Sequence, residues 1–159
     1  METIARFRLY EGKLVASMTK ILLVEDSKFL RMATERALAR AGYEVSTAVD
    51  GPNALEVAQR ERPNLILLDM LLPKMAGPEV LKMLKKDPAT AEIAVVVFTG
   101  LSQKNAVRLQ HDGAYAFLEK SELALDKGCE KLLVAIAKIV RDLGLPTPER
   151  AEARGAGVA

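Results

Sequence analysis

Four places in this 159-residue chain carry side chains able to do chemistry together: Glu25 with Asp26, then Asp69, Thr99 and Lys120. Three carboxylates in one crevice repel, so something positive must offset them. A hard divalent cation with oxygen ligands does so, and Mg2+ keeps several waters while using a few carboxylates. Lys120 supplies a further positive charge and can hold a phosphoryl oxygen. Thr99 has a hydroxyl to donate to another. Asp69 can act as a nucleophile toward phosphorus, forming an aspartyl-phosphate. The cation and Lys120 would then stabilise charge on the transferring group, which is most of what phosphoryl transfer asks of a protein. Singly, each residue has an ordinary explanation: Asp26 as a helix cap, Thr99 as a strand residue, Lys120 as a solvated lysine. They become a set because they fall at the ends of four separate apolar runs.

Those runs imply the elements that must position them. Leu65 to Leu68, within Asn64–Met70, is apolar without alternation, which suits a strand buried on both faces of a parallel sheet. Asp69 ends it, between Pro63 and the turn residues Pro73 and Gly77. Lys20 to Glu25 is a first strand, and Ser27 can cap the helix over 28–41 that Gly42 closes. Tyr43 to Ala48 is a second strand, and Asp50-Gly51-Pro52 opens a second helix. Gly77-Pro78 starts a third helix, with Val80, Leu81 and Leu84 at helical spacing, and Asp87-Pro88 breaks it. Ile93 to Phe98 is a β-branched run ending at Thr99. Residues 102–111 read as a polar helix, Ala114 to Leu118 as a fifth strand ending near Lys120, and 126–143 as a last helix with a strong apolar stripe.

Five strands alternating with five helices call for an α/β, doubly wound parallel sheet with helices on both faces. The order 2-1-3-4-5, flavodoxin-like, puts its switch point between strands one and three. That order would bring Glu25, Asp26 and Asp69 into one crevice.

Composition narrows the function classes. Half of the residues are apolar and 28% are charged, and the net charge of +2 gives no argument for nucleic acid or an anionic membrane. Trp is absent, which disfavours an aromatic platform for single strands. His111 is the single histidine, so no histidine metal cluster or catalytic triad can be built, and it is expected in solvent. Cys129, the single cysteine, is expected as a small buried hydrophobe. No apolar run approaches the length of a membrane span. Residues 1–17 have no apolar core of a signal peptide and no clear period. They are expected to be an N-terminal extension that can be deleted without a large fall in melting temperature, with a compact domain over 18–144. From 145 to 159 little is available to bury, and a flexible tail is expected.

With these motifs in order, residues 18–144 resemble a response-regulator receiver domain, similar to the stand-alone chemotaxis type. Val24-Glu25-Asp26-Ser27 looks like the family's acidic pair, and residues 67–77 resemble its phosphoacceptor strand and loop. Residues 96–100 resemble its Thr/Ser strand, and 113–120 the strand carrying its lysine. The resemblance implies that Asp69 is the phosphoacceptor and that Glu25, Asp26, Asp69 and the backbone carbonyl of Leu71 bind Mg2+. It also implies that Thr99 and Lys120 read the phosphate and that Phe117 is the aromatic switch position. The implied partners are a histidine kinase or phosphotransfer protein and a downstream protein, in the cytoplasm, with neither nucleic acid nor membrane. The chain stops soon after the last helix, so a single-domain response regulator that switches protein binding, rather than an enzyme, is expected.

The departures from the family pattern are informative. Ser121 stands where the family usually has a proline after the lysine; a cis bond without proline costs about 2.5–4 kcal/mol, so a trans bond or rearranged loop is expected at Lys120–Ser121. Leu71 and Leu101, two residues beyond Asp69 and Thr99, cannot orient a hydrolytic water by hydrogen bonding, so slow autodephosphorylation is expected. Glu119 is expected to face solvent rather than pair with Lys120. Two other functions compete. An aspartate-nucleophile phosphatase usually needs a second aspartate where Leu71 stands. A phosphorylation-independent adaptor would have no use for the intact Glu25, Asp26, Asp69, Thr99 and Lys120.

Overall fold

The computed structural model describes residues 7–100, 106–122 and 129–148. In chain order these form a hairpin, β1 (Phe7–Tyr10) and β2 (Lys13–Ala16), and then β3 (Lys20–Val24), α1 (Lys28–Arg40), β4 (Glu44–Ala48), α2 (Gly51–Glu61), β5 (Leu65–Leu68), α3 (Gly77–Lys86), β6 (Ala94–Thr99), α4 (Ala106–His111), β7 (Ala116–Glu119) and α5 (Glu130–Asp142). The last five strands form one parallel sheet in the order β4-β3-β5-β6-β7, the expected 2-1-3-4-5 arrangement.

Alternation inside the apolar runs explains why both faces of that sheet are covered. Leu22, Val24, Ile66, Leu68, Val95 and Val97 point into one core with α2 and α3. Their neighbours Ile21, Leu23, Leu65, Leu67, Val96 and Phe98 point into the other, with α1 and α5. A strand whose successive side chains must all be buried has no place for a polar residue until it ends. The first polar positions therefore mark the rim. Register completes the placement: Val24 is paired with Leu68 and Leu68 with Val97, so Glu25 and Asp69 leave adjacent strands side by side.

The local signals hold where the caps are explicit. Ser27 accepts from the Leu30 amide at 3.4 Å as the N-cap of α1, and Asp50 accepts from Asn53 at 2.8 Å as that of α2. Cys129 is buried in the second core, and the His111 side chain is exposed. Of the expected helix over 102–111, residues 102–105 lie outside the described residues, as do 126–128 at the start of the last helix.

Two stretches differ from the sequence reading. Residues 7–16, taken as lacking a period, form an antiparallel hairpin with Tyr10 paired to Lys13 across a two-residue loop. Glu11 and Gly12 both have positive φ, 48° and 75°, which is the backbone of a type I′ turn. Residues 145–148, assigned to a flexible tail, pack on the domain. Thr19 Oγ1 donates to the Pro146 carbonyl at 2.6 Å, and Leu145 lies against the α1/α5 core. The remainder of that tail, 149–159, lies outside the described residues. Among the described residues no helix is long and apolar enough to cross a membrane.

Candidate functional site

Every candidate strand-end side chain lies at one rim of the sheet. Glu25 follows β3, and its amide continues the ladder to the Ala48 carbonyl at 3.1 Å. Asp69 follows β5, its amide bound to the Val24 carbonyl at 3.2 Å. Thr99 is the last residue of β6 and is fully buried. Lys120 follows β7 and opens a short 3-10 turn, Lys120–Glu122. The Gly77 amide holds the Met70 carbonyl at 3.1 Å, and α3 begins so close to the Asp69 carbonyl and the Met70 backbone that a Cβ at position 77 would overlap both. That close approach is why a glycine stands there.

The side chains form a compact charged cluster. Lys120 Nζ donates to Glu25 Oε2 at 2.5 Å and to Asp69 Oδ2 at 3.0 Å. It also sits 5.1 Å from the centroid of the Phe98 ring, within cation–π range. The other Asp69 oxygen, Oδ1, accepts from the Leu71 amide at 3.2 Å, so the loop after β5 turns back over the carboxylate. Glu25 Oε1 accepts from the Ser27 amide at 3.2 Å. Glu25 and Asp69 are buried, 1% and 4% exposed, whereas Asp26 is open to solvent.

The electrostatics follow from this geometry. Burial pushes the Glu25 carboxyl above its usual range; the Lys120 bond and charge pull against that rise, and the neighbouring Asp69 charge adds to it. Burial alone would lower the Lys120 ammonium, but the Glu25 hydrogen bond and the Asp69 charge and bond outweigh it and hold Lys120 above its ordinary value. Lys120 is therefore firmly cationic. One carboxylate oxygen from each of Glu25, Asp26 and Asp69 lies within 4.8 Å of the others. Such an all-oxygen anionic donor set, with one member facing water, fits a hard divalent cation that keeps part of its hydration shell.

The departures noted in the sequence also find their places. The Lys120–Ser121 peptide is trans. Ser121 Oγ donates to Glu119 Oε1 at 3.1 Å, and Glu119 is half-buried. Leu71 is 60% exposed at the mouth, and Leu101 lies outside the described residues. Phe117 is half-buried against the α2/α3 core.

Three participants were not legible as such. Phe98 read only as a buried strand residue. Arg31 was not singled out from the sequence, yet its Nη1 donates to the carbonyls of Glu25 at 2.9 Å and Asp26 at 3.2 Å. Lys74, at a positive φ of 65° in the loop after β5, reaches Asp50 Oδ2 at 3.1 Å and ties that loop to the start of α2.

Comparison with known proteins agrees with this geometry. A family profile described as "Response regulator receiver domain" matches residues 21–132, well over half of the chain. Among curated proteins, the response regulator PleD of Caulobacter vibrioides is 42% identical over 102 residues, which are 64% of this chain and 22% of PleD. This chain thus spans about a fifth of that relative's length. Among solved structures, the chemotaxis response regulator CheY4 of Vibrio cholerae superposes with a TM-score of 0.69 at 30% identity, covering 77% of this chain and 99% of that one. The Mn(2+)-bound form of the response regulator Rcp1 gives 0.64 at 34% identity, covering 74% of this chain and 91% of that one.

Proposed function

The chain belongs to the response regulator receiver family, and from that premise we propose that it accepts a phosphoryl group from a phosphohistidine onto Asp69 and thereby switches the binding of a protein partner. The observation that carries the reading is Lys120 Nζ bridging Glu25 and Asp69 at the strand ends, with the exposed Asp26 close enough to share a cation with both. Mg2+, held by Glu25, Asp26, Asp69 and the Leu71 carbonyl, would supply charge neutralisation for the transferring group.

The chain's own residues do the rest. Asp69 is held by the Leu71 amide on one oxygen and Lys120 on the other, so its carboxylate is oriented before a donor arrives. A carboxylate oxygen of Asp69 forms the new O–P bond as the N–P bond of the phosphohistidine breaks, and the imidazole nitrogen keeps that electron pair. Lys120 offers its ammonium, and Thr99 its hydroxyl, to the phosphoryl oxygens. Drawing Thr99 toward the phosphate vacates space for Phe117, which remodels the face formed by α4, β7 and α5, a two-state response to a local charge change.

The phosphodonor is a histidine kinase or phosphotransfer protein, and the reading implies a cytoplasmic setting. We assign the receiver unit to residues 18–144, preceded by the extension that contains the hairpin. The test is phosphotransfer profiling. A radiolabelled histidine kinase or phosphotransfer domain is expected to lose its label to this chain and not to its Asp69→Ala variant. Labelling that persists in Asp69→Ala, or turnover of a small phosphoester, would overturn the reading, the latter in favour of a phosphatase.

A further inference from the structure

Arg31 stands four residues into the α1 N-terminal turn, yet its side chain folds back rather than out. Nη1 donates to two successive carbonyls, those of Glu25 and Asp26. The second of these belongs to the peptide plane joining Asp26 to Ser27. That plane's own N–H, on Ser27, donates to Glu25 Oε1 at 3.2 Å. In a trans peptide the C=O and N–H point to opposite sides. Arg31 therefore holds one side of a rigid plane whose other side holds the Glu25 carboxylate.

We infer that Arg31 is a positioning residue for the carboxylate cluster, fixing the Glu25–Ser27 turn so that Glu25 and Asp26 are presented together to a divalent cation. This rests on the metal-site reading above. Fixing such a plane removes the freedom of two peptides just where the chain leaves β3, and it satisfies two carbonyls that α1 leaves outside its own ladder. Groups that orient ligands from behind typically alter metal affinity by ten- to a hundredfold when removed.

Charge alone predicts the opposite sign. A guanidinium bonded to the backbone of the acidic pair opposes a second cation, so deleting it would tighten Mg2+ binding if its charge were what mattered. Positioning predicts weaker binding. The sign separates the two accounts, and neither depends on phosphorylation activity.

The experiment is calorimetric titration of the full chain with Mg2+, well below the melting temperature of each variant. Arg31→Met keeps much of the apolar stem and removes the donors; it is expected to weaken Mg2+ binding about tenfold. Arg31→Lys, which keeps a cationic donor on a flexible stem, is expected to recover part of that loss. If Arg31→Met does not fold, Arg31→Gln takes its place, with a smaller loss expected. Unchanged or tighter Mg2+ binding in the neutral variant, with binding by the wild type intact, overturns this inference and leaves the metal site standing. A wild type that does not bind Mg2+ removes the metal site and this inference with it.

Discussion

The two ends of the parallel sheet are built from the same strands and solve opposite problems. At the amino ends of β3 and β5, the hydrogen bonds around Thr19 and Lys20 join neutral groups. Thr19 is buried and gives its hydroxyl to Pro146, and the Lys20 amide and carbonyl are bracketed by the Asn64 side chain at 2.8 Å and amide at 2.9 Å. Gly42, at φ 99°, lets Pro148 lie against the α1–β4 turn. At the carboxyl ends, one lysine serves two buried carboxylates, with a third nearby. Neutral matched hydrogen bonds contribute modestly and cost little. Buried charge is worth keeping only for what it does. The amino end is a closure, whereas the carboxyl end carries more negative charge than its one lysine balances, an excess that a divalent cation would offset.

The largest expected effect comes from removing the lysine. Lys120→Met leaves Glu25 and Asp69 buried without their shared counter-charge and is expected to cost about 3–5 kcal/mol in urea unfolding without Mg2+. Added Mg2+ should recover more stability in this variant than in the wild type. Equal recovery in the two would break the idea that the cation and Lys120 answer the same charge.

Next is Gly42→Ala, which forces a side chain into a positive-φ conformation where its Cβ would meet Pro148 at 2.7 Å. A loss of about 2 kcal/mol is expected, indifferent to Mg2+. Thr19→Val, removing only the hydroxyl bond to Pro146, should cost about 1 kcal/mol, again without metal dependence. If either amino-end variant shifted Mg2+ affinity, the two ends would not be independent.

A pH titration sharpens the same contrast. Lys120 has a folded-state value above its ordinary 10.5. Its ionised form therefore adds stability that is complete below 10.5 and is lost as pH rises through the folded value. Wild-type stability should fall more steeply above pH 10.5 than that of Lys120→Met, measured by thermal melting across the alkaline range. Parallel curves would mean that the cluster does not hold the ammonium.

Much of this was legible in the residues because both principal signals are local. An unbroken run such as Leu65–Leu68, bracketed by Pro63 and Pro73, suits a strand with two covered faces, and the next residue, Asp69, then falls at the rim. Ser27 and Asp50 announce their helices by the caps they make. The misses are of two kinds. The 7–16 hairpin has strands too short for periodicity, although Glu11-Gly12 between Phe7–Tyr10 and Lys13–Ala16 is the available turn signal. The others depend on groups that meet only in three dimensions. Thr19 finds Pro146 across 127 residues, and Lys120 finds Glu25 across 95. Arg31 is close in sequence to the acidic pair, but nothing in its identity tells that its guanidinium turns back to the carbonyls. The carboxylates were read as a cluster needing a cation, and Lys120 as a further positive charge and a phosphate contact. That its ammonium bridges Glu25 and Asp69 in particular emerged from the geometry.

The most direct test of the central claim is incubation of the full chain with Mg2+ and acetyl phosphate, followed by intact mass and a gel that retards aspartyl-phosphate. The account predicts a single phosphoryl adduct that requires Mg2+ and is lost in Asp69→Asn. An adduct that forms without Mg2+, or that survives in Asp69→Asn, would contradict it.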